Sequence, residues 1–282
     1  MTRDQGPATQ ASLLWDKIIE AGWLTAAIVT PLFFSWYSNR AFEASKVGLL
    51  RSITLVMLAA WLSKMLEAGS WKLEVGTWNP ISSIQYLTSR NPLLLPLLLL
   101  VATYILTTIT SVAPRISFWG SYERRQGLYL VLCYVAIFFL IRENLRGRRQ
   151  LERLIIVLLL TSLPICLYGI MQHYRVDPLV WVKGGAERVQ STLGNPILIG
   201  AYLIMVIPLT VWQLARSFRP IRSKQGNIGP SLVLFGLYLL LLILQLICLV
   251  LTQSRGPAIG FMAGTLFFFL LLAVLREWRR LA

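Results

Sequence analysis

The fold is decided by residues 232–275, which read LVLFGLYLLLLILQLICLVL-TQSRGP-AIGFMAGTLFFFLLLAVL. Two apolar runs, Leu232–Leu251 and Ala258–Leu275, flank six residues that include a serine, an arginine, a glycine and a proline. Each run is about long enough to cross the roughly 30 Å hydrocarbon core of a bilayer as an α-helix. No run in the chain alternates with a period of two, as the strands of a transmembrane barrel do. The stretch therefore predicts a helical hairpin in a membrane.

The rest of the chain has the same character. Hydrophobic residues make up 56% of it and charged residues 14%, whereas soluble domains carry about 25% charged residues. We predict an all-α, polytopic membrane protein with about eight transmembrane helices. They form a single transmembrane domain, residues 1–282, whether complete or the N-terminal portion of a longer chain. The predicted spans are Ile18–Trp36, Val47–Leu66, Leu93–Thr110, Gly127–Ile141, Leu154–Met171, Ile197–Trp212, Ser231–Leu251 and Ala258–Leu275.

The distribution of lysine and arginine predicts the orientation. The densest basic segments, Arg142–Arg149, Arg216–Lys224 and Arg276–Arg280, are expected in the cytoplasm. Alternation from these anchors puts both termini in the cytoplasm, with 17 of the 27 lysines and arginines on that side. The net charge of +15 then reflects topology and attraction to anionic membrane lipids. It needs no nucleic acid as a partner.

Two basic motifs lie at the predicted outer ends of apolar segments. Arg188 comes shortly before the turn Gly194-Asn195-Pro196, and Arg255 follows directly on Thr252-Gln253-Ser254. An arginine next to hydrocarbon is costly, so it needs a partner or a purpose. Its planar donors match phosphate, which favours a phosphate clamp. The alternative is that each arginine anchors a loop by reaching lipid headgroups.

The last apolar segment carries glycines at four-residue spacing, Gly256, Gly260 and Gly264. Such a face lets another helix approach closely, so it is a candidate surface for a partner in a membrane complex. We also expect this helix packing to turn Arg255 towards the helix bundle.

A third motif, Ile116–Gly127, alternates aromatic with basic and small residues on the same predicted outer side. Trp119 and Tyr122 are candidates for a sugar-binding platform, and Arg124 or Arg125 for a second phosphate contact. The alternative is an interfacial aromatic belt with ordinary topology charges.

Some residue types are too scarce for certain functions. The single histidine, His173, excludes a bis-histidine haem and a multi-histidine zinc site, and we predict neither a metal nor another cofactor. No aspartate or glutamate lies centrally in a predicted span, which disfavours a proton- or sodium-coupled transporter.

With these three motifs in this order, the chain resembles the O-antigen ligase and polymerase family of bacterial envelope glycosyltransferases. The motif Ser117–Gly127 especially resembles a subgroup whose membrane domain is followed by tetratricopeptide repeats, and the likeness runs from about Ser111 onwards. It implies a membrane-glycosyltransferase fold in the bacterial cytoplasmic (inner) membrane. The implied donor is a polyprenyl-diphosphate-linked glycan, used on the outer face without a metal. The implied acceptor is a glycan, a lipid or a protein hydroxyl.

The resemblance also implies roles for individual residues. Arg188 and Arg255 carry over as catalytic residues that bind the diphosphate and stabilise charge on the leaving group. The candidate substrate-binding residues are Trp119, Tyr122, Arg124, Arg125, Asn195 and Ser254. Ligases of the family have a catalytic histidine in a later outer loop, and His173 does not match that position. Two hypotheses therefore stand: a lipid-linked-glycan transferase or its membrane portion, and a non-catalytic accessory or structural subunit of a larger membrane complex.

Overall fold

The computed structural model describes residues 10–35, 42–67, 93–122, 124–176, 188–223 and 228–281. All regular structure in these ranges is helical. Trp36, the predicted end of the first span, and Glu187, before the first basic motif, lie outside them. The helices are α1 Gln10–Leu32, α2 Glu43–Glu67, α3 Leu94–Ile109, α4 Pro114–Trp119, α5 Leu128–Asn144, α6 Arg148–His173, the 3-10 turn Ser191–Leu193, α7 Pro196–Ser223, α8 Ile228–Leu251 and α9 Arg255–Leu281.

Each predicted span falls on one of these helices, but the helix ends differ. Helix α1 begins at Gln10, well before the predicted Ile18, because the charged residues Asp16 and Lys17 continue the helix beyond its apolar part. The short helix α4 was not predicted, since six residues hold too little periodicity to be recognised.

Five of the described helices are long and apolar enough to cross a membrane: α2, α6, α7, α8 and α9. The all-helical character of the prediction is thereby confirmed, and five of the predicted spans fall on helices that could cross a membrane. Helix α3 is apolar but has only 16 residues. Helix α1 carries Asp16, Lys17 and Glu20 within its 23 residues. Eight crossings and cytoplasmic termini therefore stay predictions.

The chain divides into two compact units, Met1–Arg153 and Leu154–Ala282, with the boundary inside α6. In the first unit, α1 packs against α2 and both pack against α5. Its core includes Val47, Leu50 and Leu130. Helices α1 and α2 approach closely at Gly22, where an added Cβ would lie 2.3 Å from Met57 Cγ.

Polar contacts join four helix ends at one end of the first unit. Lys64, near the end of α2, pairs with Asp16 on α1 and donates to Asn144 Oδ1 at the end of α5, 3.0 Å away. Arg153 Nε donates to Glu20 Oε1 at 2.7 Å. These helix ends are the ones that the sequence predicts to face the cytoplasm, and that orientation stays a prediction.

The second unit is built from α7 with α8 and α9, together with most of α6. A cluster of Ile155, Leu159, Val206 and Leu241 holds α6, α7 and α8 together. Beside it lies a fully buried polar network centred on Gln245, the only strongly polar residue deep within α8. Gln245 Nε2 donates to Ser162 Oγ at 2.8 Å, and Gln245 Oε1 accepts from Thr210 Oγ1 at 2.9 Å.

This network predicts an asymmetry between two substitutions. Ser162→Ala leaves a buried Gln245 N–H without its acceptor, which costs about 1–3 kcal/mol. Gln245→Leu removes both bonds, but the Ser162 hydroxyl still donates to Leu159 O, and the Thr210 hydroxyl turns to donate to Val206 O. Since hydrogen bonds between membrane helices average about 0.6 kcal/mol, Gln245→Leu should cost only about 1 kcal/mol.

Unfolding free energies measured by steric trapping in bicelles check this expectation. Ser217→Ala is the matched control, because Ser217 Oγ donates to Leu214 O of its own helix and to no residue of another described helix, so its loss should be nearly neutral. If Ser162→Ala changes the unfolding free energy as little as Ser217→Ala does, the network does not stabilise the protein.

Candidate functional site

The loop that carries Arg188 rests on the end of α6. Gln172 Oε1 accepts hydrogen bonds from the backbone N–H groups of Gln190, at 3.3 Å, and Ser191, at 2.6 Å. Ser191 is fully buried, and its Oγ donates to Ile165 O at 2.7 Å. Its φ of 44° is left-handed, a conformation that non-glycine residues adopt only when surrounding contacts impose it. The loop therefore has a fixed support.

Arg188 links the two basic motifs. Its Nε donates to Thr252 O at 3.2 Å, and its Nη2 donates to Ser254 Oγ at 2.9 Å. Thr252 follows the last residue of α8, where unsatisfied carbonyls and the helix dipole favour a cation. Guanidinium has five N–H groups, so three remain for other acceptors. The arginine itself is exposed, and its donors are therefore accessible.

Arg255, the other predicted catalytic residue, begins α9 directly after Ser254. It is exposed, so the expectation that it turns towards the bundle is wrong. Ser254 and Pro257 are the buried residues of this turn; because they lie three apart on one helix face, Arg255 is left on another. Its guanidinium has no hydrogen bond or ion pair with any residue that the structure describes.

Helices α7 and α9 run parallel and begin at the end of the unit that holds Arg188. An added Cβ at Gly200 would lie 2.5 Å from Pro257 Cβ, and one at Gly260 would lie 3.7 Å from Ile204 Cδ1. Residues later in α7 therefore meet residues later in α9, which shows that the two helices run in the same direction. Helix N-termini carry partial positive charge and unpaired N–H groups, which attract anions. This end of the unit therefore combines two arginines with two helix N-termini.

The turn before α7 is formed by Gly194 and Asn195. Gly194 has a φ of 72° and donates its N–H to Gln190 O at 2.9 Å. Asn195 Oδ1 accepts from Ile197 N at 2.9 Å, which caps the helix, and Pro196 occupies its first turn. Asn195 thus has a structural role at Oδ1, and its substrate-binding role stays a prediction.

Ser254 is buried, with 5% of its surface exposed, and its hydroxyl is used by the protein. It accepts from Arg188 and donates to Thr252 O at 3.3 Å. A hydroxyl has one donor, so none remains for an anion. In this geometry Ser254 orients Arg188, and its predicted contact with substrate has no observation in its favour.

The glycine face of α9 is only partly used. The contact with α7 passes through Pro257 and Gly260, whereas a Cβ added at Gly256 or Gly264 would meet nothing within 4 Å. From Ala258 to Leu275 no side chain is buried. The predicted partner at the Gly256, Gly260 and Gly264 face stays a prediction.

Gly200→Ala should disturb the site through α7 and α9, because its Cβ would meet Pro257 at 2.5 Å. Forcing the helices apart should cost about 1–3 kcal/mol of stability. Gly264→Ala is the matched control, since open space surrounds it and alanine is the better helix former by up to about 1 kcal/mol. Unfolding free energies of both variants in bicelles check the prediction, and equal effects would contradict the close approach.

The third motif lies in the first unit, where it begins within α4 and ends just before α5. Phe118, Trp119 and Tyr129 form an aromatic cluster with ring centroids 5.2 to 6.2 Å apart. Trp119 remains 52% exposed and Tyr122 86% exposed, as a sugar platform would require.

Arg124 and Arg125 are also exposed. Their side chains form no hydrogen bond or ion pair with the described residues. We expect one of them to contact the diphosphate that Arg188 and Arg255 bind. Arg124 and Arg125 belong to the first unit and the other two arginines to the second, so this stays a prediction.

Two residues of structural importance were not identified from the sequence. Gln172 supports the Arg188 loop, but an amide at a helix end gives no sign of a partner 18 residues later in the chain. Arg51 holds the third motif from α2. The sequence does indicate its importance, because an arginine within an apolar run is costly without a function.

Among the described residues no group of three or more histidine, cysteine, aspartate or glutamate side chains could hold a metal ion. Comparison with protein-family models, curated proteins and solved structures found no match for this chain.

Proposed function

We propose that this chain is a membrane glycosyltransferase-like protein of the O-antigen ligase and polymerase type. It handles polyprenyl-diphosphate-linked glycans at the outer face of the bacterial cytoplasmic membrane. The acceptor is a glycan, a lipid or a protein. The proposal rests on the sequence motifs and on the arrangement of the arginines, and it requires no metal or other cofactor.

The observation that carries the proposal is the hydrogen bond from Arg188 Nη2 to Ser254 Oγ, at 2.9 Å. It joins two motifs that lie 66 residues apart in the chain and brings Arg188 to the residue that precedes Arg255. Both arginines are exposed, and each keeps donors that no described residue accepts. Two such groups beside two helix N-termini suit a diphosphate, because its negative charge is spread over several oxygens.

The proposed reaction is a glycosyl transfer. An acceptor hydroxyl forms a bond to the anomeric carbon of the donor sugar, and the bond from that carbon to the diphosphate oxygen breaks. The bonding electrons leave with the polyprenyl diphosphate, whose growing charge Arg188 and Arg255 stabilise. The hydroxyl proton passes to a base, for which we assign no residue.

Binding of polyprenyl diphosphate tests the proposal. We expect the protein in lipid nanodiscs to bind polyprenyl diphosphate at least about tenfold more tightly than polyprenyl monophosphate. The reason is that the second phosphate adds charge-assisted hydrogen bonds of about 1.5–3 kcal/mol each. Titration with labelled lipids measures both affinities. Equal affinities would show that the arginines meet only general lipid headgroups.

The alternative function is that of a non-catalytic accessory or structural subunit. The unburied surface of α9 from Ala258 to Leu275 favours it, as does the use of two Arg188 donors within the protein. A purified protein that prefers the diphosphate and yet transfers no labelled glycan to any supplied acceptor would favour this role over the transferase.

A further inference from the structure

Arg51, on α2, holds both ends of the loop that carries the third motif. Its Nη2 donates to Trp119 O at 2.9 Å and to Arg125 O at 2.8 Å. Hydrogen bonds from a charged donor are about twice as strong as neutral ones. One guanidinium nitrogen therefore pins the loop at two carbonyls that are six residues apart.

No carboxylate neutralises this arginine among the described residues. Its guanidinium carbon lies 4.6 Å from the centroid of the Tyr129 ring, and its Nε is buried without a hydrogen-bond partner. Among the described residues, the contacts of this cation are thus two carbonyls and an aromatic face. An arginine held in this way in an apolar helix is costly. An apolar residue could fill the same space without that cost, so the charge itself has a role.

The loop itself is tightly folded. Gly120 has a φ of 88°, and an added Cβ there would lie 2.3 Å from the backbone of Arg125 and Gln126. Arg125 has a left-handed φ of 51°. The carbonyl of Arg125 is directed to Arg51 while its side chain is exposed. The backbone at Gly120 and Arg125 is thus fixed, and the side chains of Trp119, Tyr122, Arg124 and Arg125 are exposed.

We infer that Arg51 is a positioning residue for ligand binding by this loop. It fixes the backbone at Trp119 and at Arg125 so that Arg124 and Arg125 are presented to a phosphate-bearing ligand. The nature of the ligand rests on the proposed function, whereas the positioning does not.

The test compares Arg51→Gln with Arg51→Lys in the full chain in lipid nanodiscs. A nitroxide label at Ser121→Cys, read by electron paramagnetic resonance, reports the loop, and one at Gly147→Cys reports the far end of the unit. Arg51→Gln should mobilise the label at 121 and leave the label at 147 unchanged. Arg51→Lys should restore order only in part, because lysine lacks the planar fork. Arg115→Gln is the matched control, since Arg115 is an exposed arginine close to the loop.

Binding of polyprenyl diphosphate gives the second readout. Arg51→Gln should weaken it about tenfold, as should the double variant Arg124→Gln and Arg125→Gln. The triple variant, with Arg51, Arg124 and Arg125 all replaced by glutamine, should lose no more affinity than Arg51→Gln or the double variant alone. The reason is that Arg51 acts through the loop. Additive losses would overturn the inference, and so would an unchanged label at 121 or equal mobilisation at 147. A wild-type protein that binds no polyprenyl diphosphate would overturn the proposed function and the assignment of the ligand, while a label mobilised only at 121 would still support the positioning.

Discussion

Arg188→Glu and Arg255→Glu should each weaken binding of polyprenyl diphosphate by at least about 100-fold, the largest effect that we expect from a single substitution. Each change removes a guanidinium donor and places a negative charge where phosphate must bind; losing one partner of a close charge pair costs about 2–5 kcal/mol. Titration of the lipid into nanodiscs measures the loss. Lysine at either position should keep part of the affinity, because it retains the charge but loses the bidentate geometry.

Arg175→Glu is the matched control for charge. Arg175 lies just beyond the end of α6, in the same unit as both arginines, and is exposed. Its reversal should change affinity by less than about threefold, apart from long-range effects that salt screens. If all three charge reversals weakened binding equally, the overall positive charge near these arginines would be what attracts the lipid. A specific diphosphate site would then be contradicted.

Gln172→Met should cost about 1–3 kcal/mol of stability and most of the binding of polyprenyl diphosphate. Methionine keeps the volume of the side chain but removes the oxygen that accepts from Gln190 N and Ser191 N. Because Ser191 is fully buried, its N–H would be left without an acceptor. The support of the loop would be lost, and Arg188 with it. The unfolding free energy and the affinity for polyprenyl diphosphate of the variant check this prediction.

Gln172→Glu separates the lost hydrogen bonds from general damage. Glutamate keeps the accepting oxygen in the same place, so the unfolding free energy should return to within about 1 kcal/mol of the wild-type value. A glutamate variant as unstable as the methionine variant would show that these two hydrogen bonds do not support the loop.

The helices could be predicted because their signal is local. An apolar run such as Leu232–Leu251 becomes a helix in a membrane whatever surrounds it, since its backbone must satisfy its own hydrogen bonds. The prediction failed where the signal was not local. The charged residues Asp16 and Lys17 precede the predicted span but belong to α1, where Asp16 pairs with Lys64, a partner distant in sequence.

The candidate site shows the same division. Arginines beside Gly194-Asn195-Pro196 and before Gly256 could be predicted to matter, because their cost near hydrocarbon is visible in the sequence. Their connection could not be derived, since it depends on the left-handed backbone at Ser191 and on the close approach of Gly200 to Pro257. The exposure of Arg255 follows from the burial of Ser254 and Pro257, which only tertiary packing decides.

The most direct test of the central claim is a structure of the protein in a lipid nanodisc with bound polyprenyl diphosphate. We predict that the guanidinium groups of Arg188 and Arg255 both donate to phosphate oxygens at about 2.7–2.9 Å, with Arg188 still bonded to Ser254 Oγ. Diphosphate bound elsewhere, or the two side chains directed to lipid on different sides of their unit, would contradict the account.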